Sequence, residues 1–141
     1  MQKSKNIIKI SVLALLIVIF TFSFSSCADS NVVKAQTEKM LDAIIANDVD
    51  AAYSLMVDQV QRKDFESSFP KLVELFEGVS TYNLKQSGYY TGIQNLLKIT
   101  RITYTVETNK GDFTVVTTVC EQYEGIYNFY IEPAKSVKQG A

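Results

Sequence analysis

The 141-residue chain contains two cysteines, eight tyrosines and no histidine, and these side chains bound its chemistry. Without an imidazole, a Ser-His-Asp triad or a Cys-His pair cannot form. Two thiols alone make a poor zinc site, so neither a metal nor a cofactor is expected. Cys120 falls inside a strand-like stretch between Val119 and Glu121. It reads either as a reactive thiol able to form an intermolecular disulfide or, more simply, as a small buried apolar residue. Tyr82, Tyr89, Tyr90, Tyr104, Tyr123, Tyr127 and Tyr130 crowd the second half. They suit a pocket for an apolar or sugar-like ligand, and they suit half-buried sheet packing better still. Arg101, Thr103, Thr105 and Glu107 alternate with Ile102, Tyr104 and Val106, which makes the polar set a solvated strand face. A net charge of −1 lacks the basic footprint of a nucleic-acid partner.

Cys27 stands in a different context. Lys3, Lys5 and Lys9 form a positive start with no acidic residue, Ile10 to Phe24 is an uncharged run, and the small residues Ser25 and Ser26 precede the cysteine. This is the three-part layout of a secretory signal. As a helix the run spans only about 22 Å, short of a hydrocarbon core of about 30 Å, so a spanning anchor is the weaker reading. The stretch Phe24-Ser25-Ser26-Cys27 resembles the lipobox of bacterial lipoproteins, in a looser form than the usual Leu and Gly or Ala. That resemblance implies cleavage before Cys27 and a diacylglycerol on its thiol. Residues 1–26 are then a lipoprotein signal peptide, 27–31 a short tether, 32–133 the folded domain and 134–141 a flexible tail. The mature side-chain charge becomes 11 − 15 = −4, with no basic patch for anionic lipid.

The elements of the domain follow from periodicity. Val33, Met40, Leu41, Ile44 and Ile45 share one helical stripe over 32–46, with Ser30 or Asn31 as cap. Asn47 and Asp48 break that helix, and Asp48 caps a second one, with Val49, Ala52, Tyr53 and Met56 on one face. Residues 58–69 read as irregular. Pro70 suits the first turn of a third helix ending at Gly78, although Asp64-Phe65-Glu66 could begin it earlier. Residues 79–132 then read as four strands, about 80–91, 96–108, 112–123 and 125–132. Ser87 to Gly92 reads as a Gly-flanked aromatic loop or bulge. Two registers compete at the turn Asn109-Lys110-Gly111. A three-residue loop with left-handed Gly111 pairs Val106 with Thr114 and Tyr104 with Val116, whereas a two-residue loop is expected to pair Val106 with Val115 and Ile102 with Val119. A bulged form of the first is favoured.

The fold class is therefore α+β: two or three N-terminal helices packed on a curved four-stranded antiparallel sheet. The helix end at Asn47-Asp48, the element Ala51-Ala52-Tyr53, the next helix and the run of strands resemble the nuclear-transport-factor-like superfamily, which includes ketosteroid isomerases. A cystatin-like layout, with one helix against the sheet, stays open. The resemblance implies a cone-like sheet around a pocket. An isomerase of that kind needs a carboxylate beside a hydroxyl donor, for which Tyr53, Asp58, Tyr104 and Glu107 are the available residues. Tyr104 and Glu107 have opposite strand parity and point apart, and Tyr53 sits on an apolar stripe.

The sequence thus favours a non-catalytic binding or assembly module in the bacterial cell envelope. It would be lipid-anchored through Cys27, on the periplasmic or outer-membrane face, with an envelope protein or small apolar ligand as partner. A small-pocket enzyme acting on an apolar substrate is the alternative, and recognition of one specific envelope partner is a variant of the first reading.

Overall fold

The computed structural model describes residues 29–135; residues 1–28, including Cys27 and the signal-like segment, and residues 136–141 lie outside it. Helix α1 spans Ser30–Ile45, α2 Val49–Ser54 and α3 Arg62–Leu75. Strands β1 (Tyr82–Gln94), β2 (Leu97–Thr108), β3 (Gly111–Cys120) and β4 (Ile126–Pro133) follow in an antiparallel sheet of order β1-β2-β3-β4. The α+β arrangement of three helices and a four-stranded meander matches the expected class.

Asp29 caps α1, its carboxylate accepting from Asn31 N at 2.9 Å. The helix therefore starts two residues earlier than its apolar stripe suggests, and the polar stretch before it is shorter than the expected tether. Val33, Met40, Leu41 and Ile44 are buried, together with Thr37 and Ala43, while Ile45 is only half-buried. At the far end Asn47 adopts a left-handed φ of 52°. Asp48 N bonds Ala43 O at 2.8 Å and Asn47 N bonds Ile44 O at 3.1 Å, which is the Schellman closure of a helix. The Asp48 carboxylate then accepts from Ala51 N at 3.0 Å and starts α2. One dipeptide ends one helix and begins the next.

Helix α3 corrects two expectations. It covers most of the stretch read as irregular, and Pro70 lies inside it rather than in its first turn. Proline removes the hydrogen bond to Glu66 O that an ordinary residue would make. The helix persists because Phe65 and Phe69 are buried on one side, their rings 5.7 Å apart, and Arg62 Nε donates to Glu66 at 2.6 Å across the first turn. Arg62 also pairs with Asp50 and lies 5.4 Å from the centre of the Tyr53 ring.

In the sheet Ile102, Tyr104 and Val106 alternate into the core as expected, facing Phe113, Val115 and Thr117 of β3. Both proposed registers at the second turn are wrong. Asn109 and Lys110 form the loop, and Val106 pairs with Phe113, Tyr104 with Val115 and Ile102 with Thr117. Gly111, at φ 123°, is the first residue of β3 and pairs with Thr108. Thr108 Oγ1 holds the turn, accepting from Lys110 N at 3.0 Å and donating to Gly111 O at 2.7 Å. A side-chain staple thus replaces the expected bulge. The aromatic stretch beginning at Ser87 lies in β1 at an irregularity between Gln86 and Gly88, and a second break in register falls between Thr118 and Val119.

The helices cover one face of the sheet. Buried Ile126 anchors the connection: Val57 N donates to Ile126 O at 3.0 Å and Ile126 N to Leu55 O at 2.8 Å. This two-way bond ties the segment after α2 to the start of β4.

Candidate functional site

The residues named for acid–base chemistry are not brought together. Tyr53 donates its hydroxyl to Val60 O at 2.7 Å and packs 5.5 Å from Phe65, which is a structural role. Asp58 is exposed in the loop after α2, and Glu107 is exposed on the opposite sheet face, bonded to Lys85 at 2.7 Å. The Lys85 ammonium holds the Glu107 carboxyl below its ordinary value. Tyr104 is 1% exposed in the centre of the helix-facing side, and its hydroxyl makes no well-formed hydrogen bond. The Thr37 hydroxyl is near enough to act on it, but Thr37 Oγ1 already donates to Val33 O at 2.8 Å and lies 2.7 Å from Thr117 Oγ1. Burial raises the Tyr104 pKa. The face on which a wrapped pocket would open is packed with side chains at this level: Met40, Leu41, Ile102, Val106 and Val115 are fully buried.

In the sequence Tyr82 is one of seven tyrosines in the second half of the chain. Its hydroxyl donates to Asp42 Oδ1 at 2.7 Å and lies 3.2 Å from Glu38 O. Partial burial and then the Asp42 carboxylate push its pKa well up. It fastens β1 to α1. Tyr123 and Tyr127 stack with centroids 6.4 Å apart, and Tyr130 is exposed, bonded to Glu132 at 2.8 Å. Cys120 is 4% exposed, and its thiol donates to Gln122 Oε1 at 2.9 Å. It is the small buried residue that the sequence favours.

A concave site does exist, at one end of the molecule. The first turns of α1 stand opposite the ends of β1, β2 and β3, leaving a cleft of about 220 Å³. Asp29, Val32, Val33 and Gln36 form one wall, Tyr89, Thr91, Thr100 and Lys98 the other, with Val119, Cys120 and Tyr123 nearby. Lys98 and Glu121, both at this cleft, pair at 3.4 Å. The volume is below the roughly 300–1,000 Å³ of pockets that enclose drug-sized ligands. The cleft can take a single projecting side chain or a short apolar group, with the Thr91 and Thr100 hydroxyls as polar contacts. A broader and more open depression of about 680 Å³ lies between Leu75, Phe113 and Pro133. Among the described residues no group of three or more Cys, Asp or Glu side chains is placed to hold a metal ion, and no helix is long and apolar enough to cross a membrane.

Sequence reasoning singled out Tyr89 and Tyr123 but not the cleft itself. Its inner wall depends on where α1 begins relative to the strand ends, and periodicity carries no such information. The arrangement defines a helices-on-meander α+β module with a small end cleft. No protein-family model, curated protein or solved structure matches the chain.

Proposed function

We propose that this chain is a membrane-anchored cell-envelope lipoprotein whose folded body is a non-catalytic binding or assembly module. The observation that carries this reading is the order of the first 29 residues. A basic start, an uncharged run, two serines and Cys27 are followed, two residues later, by the cap of the first helix. A lipid on Cys27 would hold the module directly against the bilayer, since two residues of chain reach only about 7 Å. Two or more acyl chains make such attachment effectively permanent, whereas one gives reversible binding.

The binding role is supported by what the side chains are already doing. Tyr53 and Tyr82 are spent on holding elements together, Glu107 faces away from the helices and Tyr104 is sealed in the core. The end cleft is then the best place for a small apolar ligand or a projecting group of an envelope protein. Intact-mass analysis of native material tests the anchor. The expected product begins at Cys27 with a diacylglyceryl addition, and Cys27→Ala should accumulate with Met1 intact. Native protein that retains Met1, or that carries a bare Cys27 thiol, overturns the reading.

A further inference from the structure

Apart from Leu75 and Tyr130, the exposed large apolar residues gather at one end of the molecule. Leu96 is 92% exposed and Ile93 77%, with Tyr89, Tyr90 and Val32 more than half exposed. Leu96 lies in the tip of the β1–β2 hairpin and Ile93 close behind it on β1, and Val32 and Tyr89 line the end cleft with Asp29. In the register beyond the Gly88 irregularity, Tyr89, Thr91 and Ile93 pair with Ile102, Thr100 and Lys98 on the helix-facing side. That face therefore runs on past the start of α1 with nothing over it among the described residues. The last cleft residue of β1 is Thr91, so the tip projects a further two to four residues, about 7–13 Å of strand.

The turn makes the exposure costly. Gln94 pairs with Leu97, leaving Asn95 and Leu96 as a two-residue turn with φ of 51° and 65°. Such turns favour Asn followed by Gly, because a side chain at the second left-handed position is strained by about 1–2 kcal/mol. Leucine here neither relieves the turn nor packs on the protein. Asp29, two residues from Cys27, borders the same cleft.

We infer that the β1–β2 hairpin tip is a second membrane contact, with Ile93 and Leu96 entering the lipid surface beside the anchored N-terminus. The inference rests on the anchor reading for its geometry. Amphipathic segments enter the headgroup–acyl boundary by about 5–10 Å. Tyr89 and Tyr90 lie four and three residues behind Ile93, about 10–13 Å along the strand, where tyrosines favour the headgroup level.

Full-length chain, purified from membranes and returned to phosphatidylcholine vesicles, tests this with a fluorophore on Leu96→Cys and, at the opposite end of the sheet, on Lys110→Cys. Intact mass reports the state of Cys27 in each sample, and unsubstituted chain gives the labelling background from Cys120 and, where its thiol is bare, from Cys27. Lipid carrying a spin label on its acyl chain should quench the position-96 probe severalfold more than the position-110 probe, while aqueous iodide does the reverse. With Cys27 lipidated, a position-96 probe as open to iodide as the position-110 probe overturns the inference and leaves the anchor standing. A position-96 probe shielded from both quenchers means that protein, a second copy or another chain, covers the tip, and this too overturns it. If Cys27 is bare, the anchor reading fails. Lipid quenching at position 96 on adding vesicles then sustains the hairpin contact alone, and its absence removes both.

Discussion

Thr37 and Thr117 meet in the core with their hydroxyl oxygens 2.7 Å apart and both side chains fully buried. Thr37 Oγ1 gives its proton to Val33 O, so Thr117 donates to Thr37. Removing Thr37 leaves the buried Thr117 hydroxyl without its partner, at about 1–3 kcal/mol, whereas removing Thr117 leaves Thr37 bonded to Val33 O and costs less. Thr37→Val alone should lower unfolding stability by about 1–3 kcal/mol, Thr117→Val by less, and the double variant by less than the sum of the two in urea titrations. Additive losses would show that the pair is not coupled. Tyr82 carries a pH prediction. Burial and Asp42 make its proton harder to remove in the folded state. Its contribution is therefore present in full below the ordinary tyrosine pKa of about 10 and is lost as pH rises past it toward the folded value. Melting temperature should fall above about pH 10, and Tyr82→Phe should fall less steeply because part of the linkage is gone. An unchanged slope in the variant would place the linkage elsewhere. None of these pairings was legible in the sequence. Thr37 lies on the apolar stripe of α1 but reads as a polar interruption of it, and its partner is 80 positions away. The burial of Tyr104 was legible, because alternation with Ile102 and Val106 leaves it no other face.

The elements were read more securely than their ends and registers. Apolar periodicity located α1 and the four strands, and Asp48 announced α2. Pro70 misled because its chemistry disfavours a helix interior, and tertiary packing of Phe65 and Phe69 prevailed over that local preference. The β1–β2 connection shows in the sequence only as the gap between strands at about 80–91 and 96–108, because Asn95-Leu96 lacks the glycine that marks such turns. The β2–β3 register followed neither the best turn residue nor the best apolar match, since Thr108 closes a two-residue loop. Glycines separate strain from crowding. Gly111 (φ 123°) has open space where a Cβ would be, whereas at Gly125 (φ 108°) a Cβ would sit 2.9 Å from Leu55 O. Gly111→Ala should cost about 1–2 kcal/mol from backbone strain alone. Gly125→Ala should cost more than about 2 kcal/mol, because overpacking against a fixed carbonyl adds to that strain. Thermal denaturation of the two variants orders them, and equal losses would mean that the clasp at Ile126 yields.

For the molecule as a whole, the α+β class was readable from the succession of helical and alternating segments, whereas the shape of its ends was not. The end left uncovered among the described residues joins a proposed covalent anchor to an apolar hairpin, and neither depends on charge. The mature chain would carry 11 − 15 = −4, so headgroup electrostatics would contribute little to the proposed attachment. Flotation of the full-length chain with phosphatidylcholine vesicles should therefore be the same at low and high salt, conditions under which exposed charge interactions are first strong and then screened. A marked loss in high salt would show attachment by charge instead. The sheet order leaves β1 as an outer strand of 13 residues. Proteins confined to a leaflet meet side by side, the orientation in which open strand borders zip into continuous ribbons. The extra residue at Ser87 breaks the hydrogen-bond spacing of that border midway. Two copies aligned in the plane could match over only half its length, so crowding on a surface need not lead to fibrils.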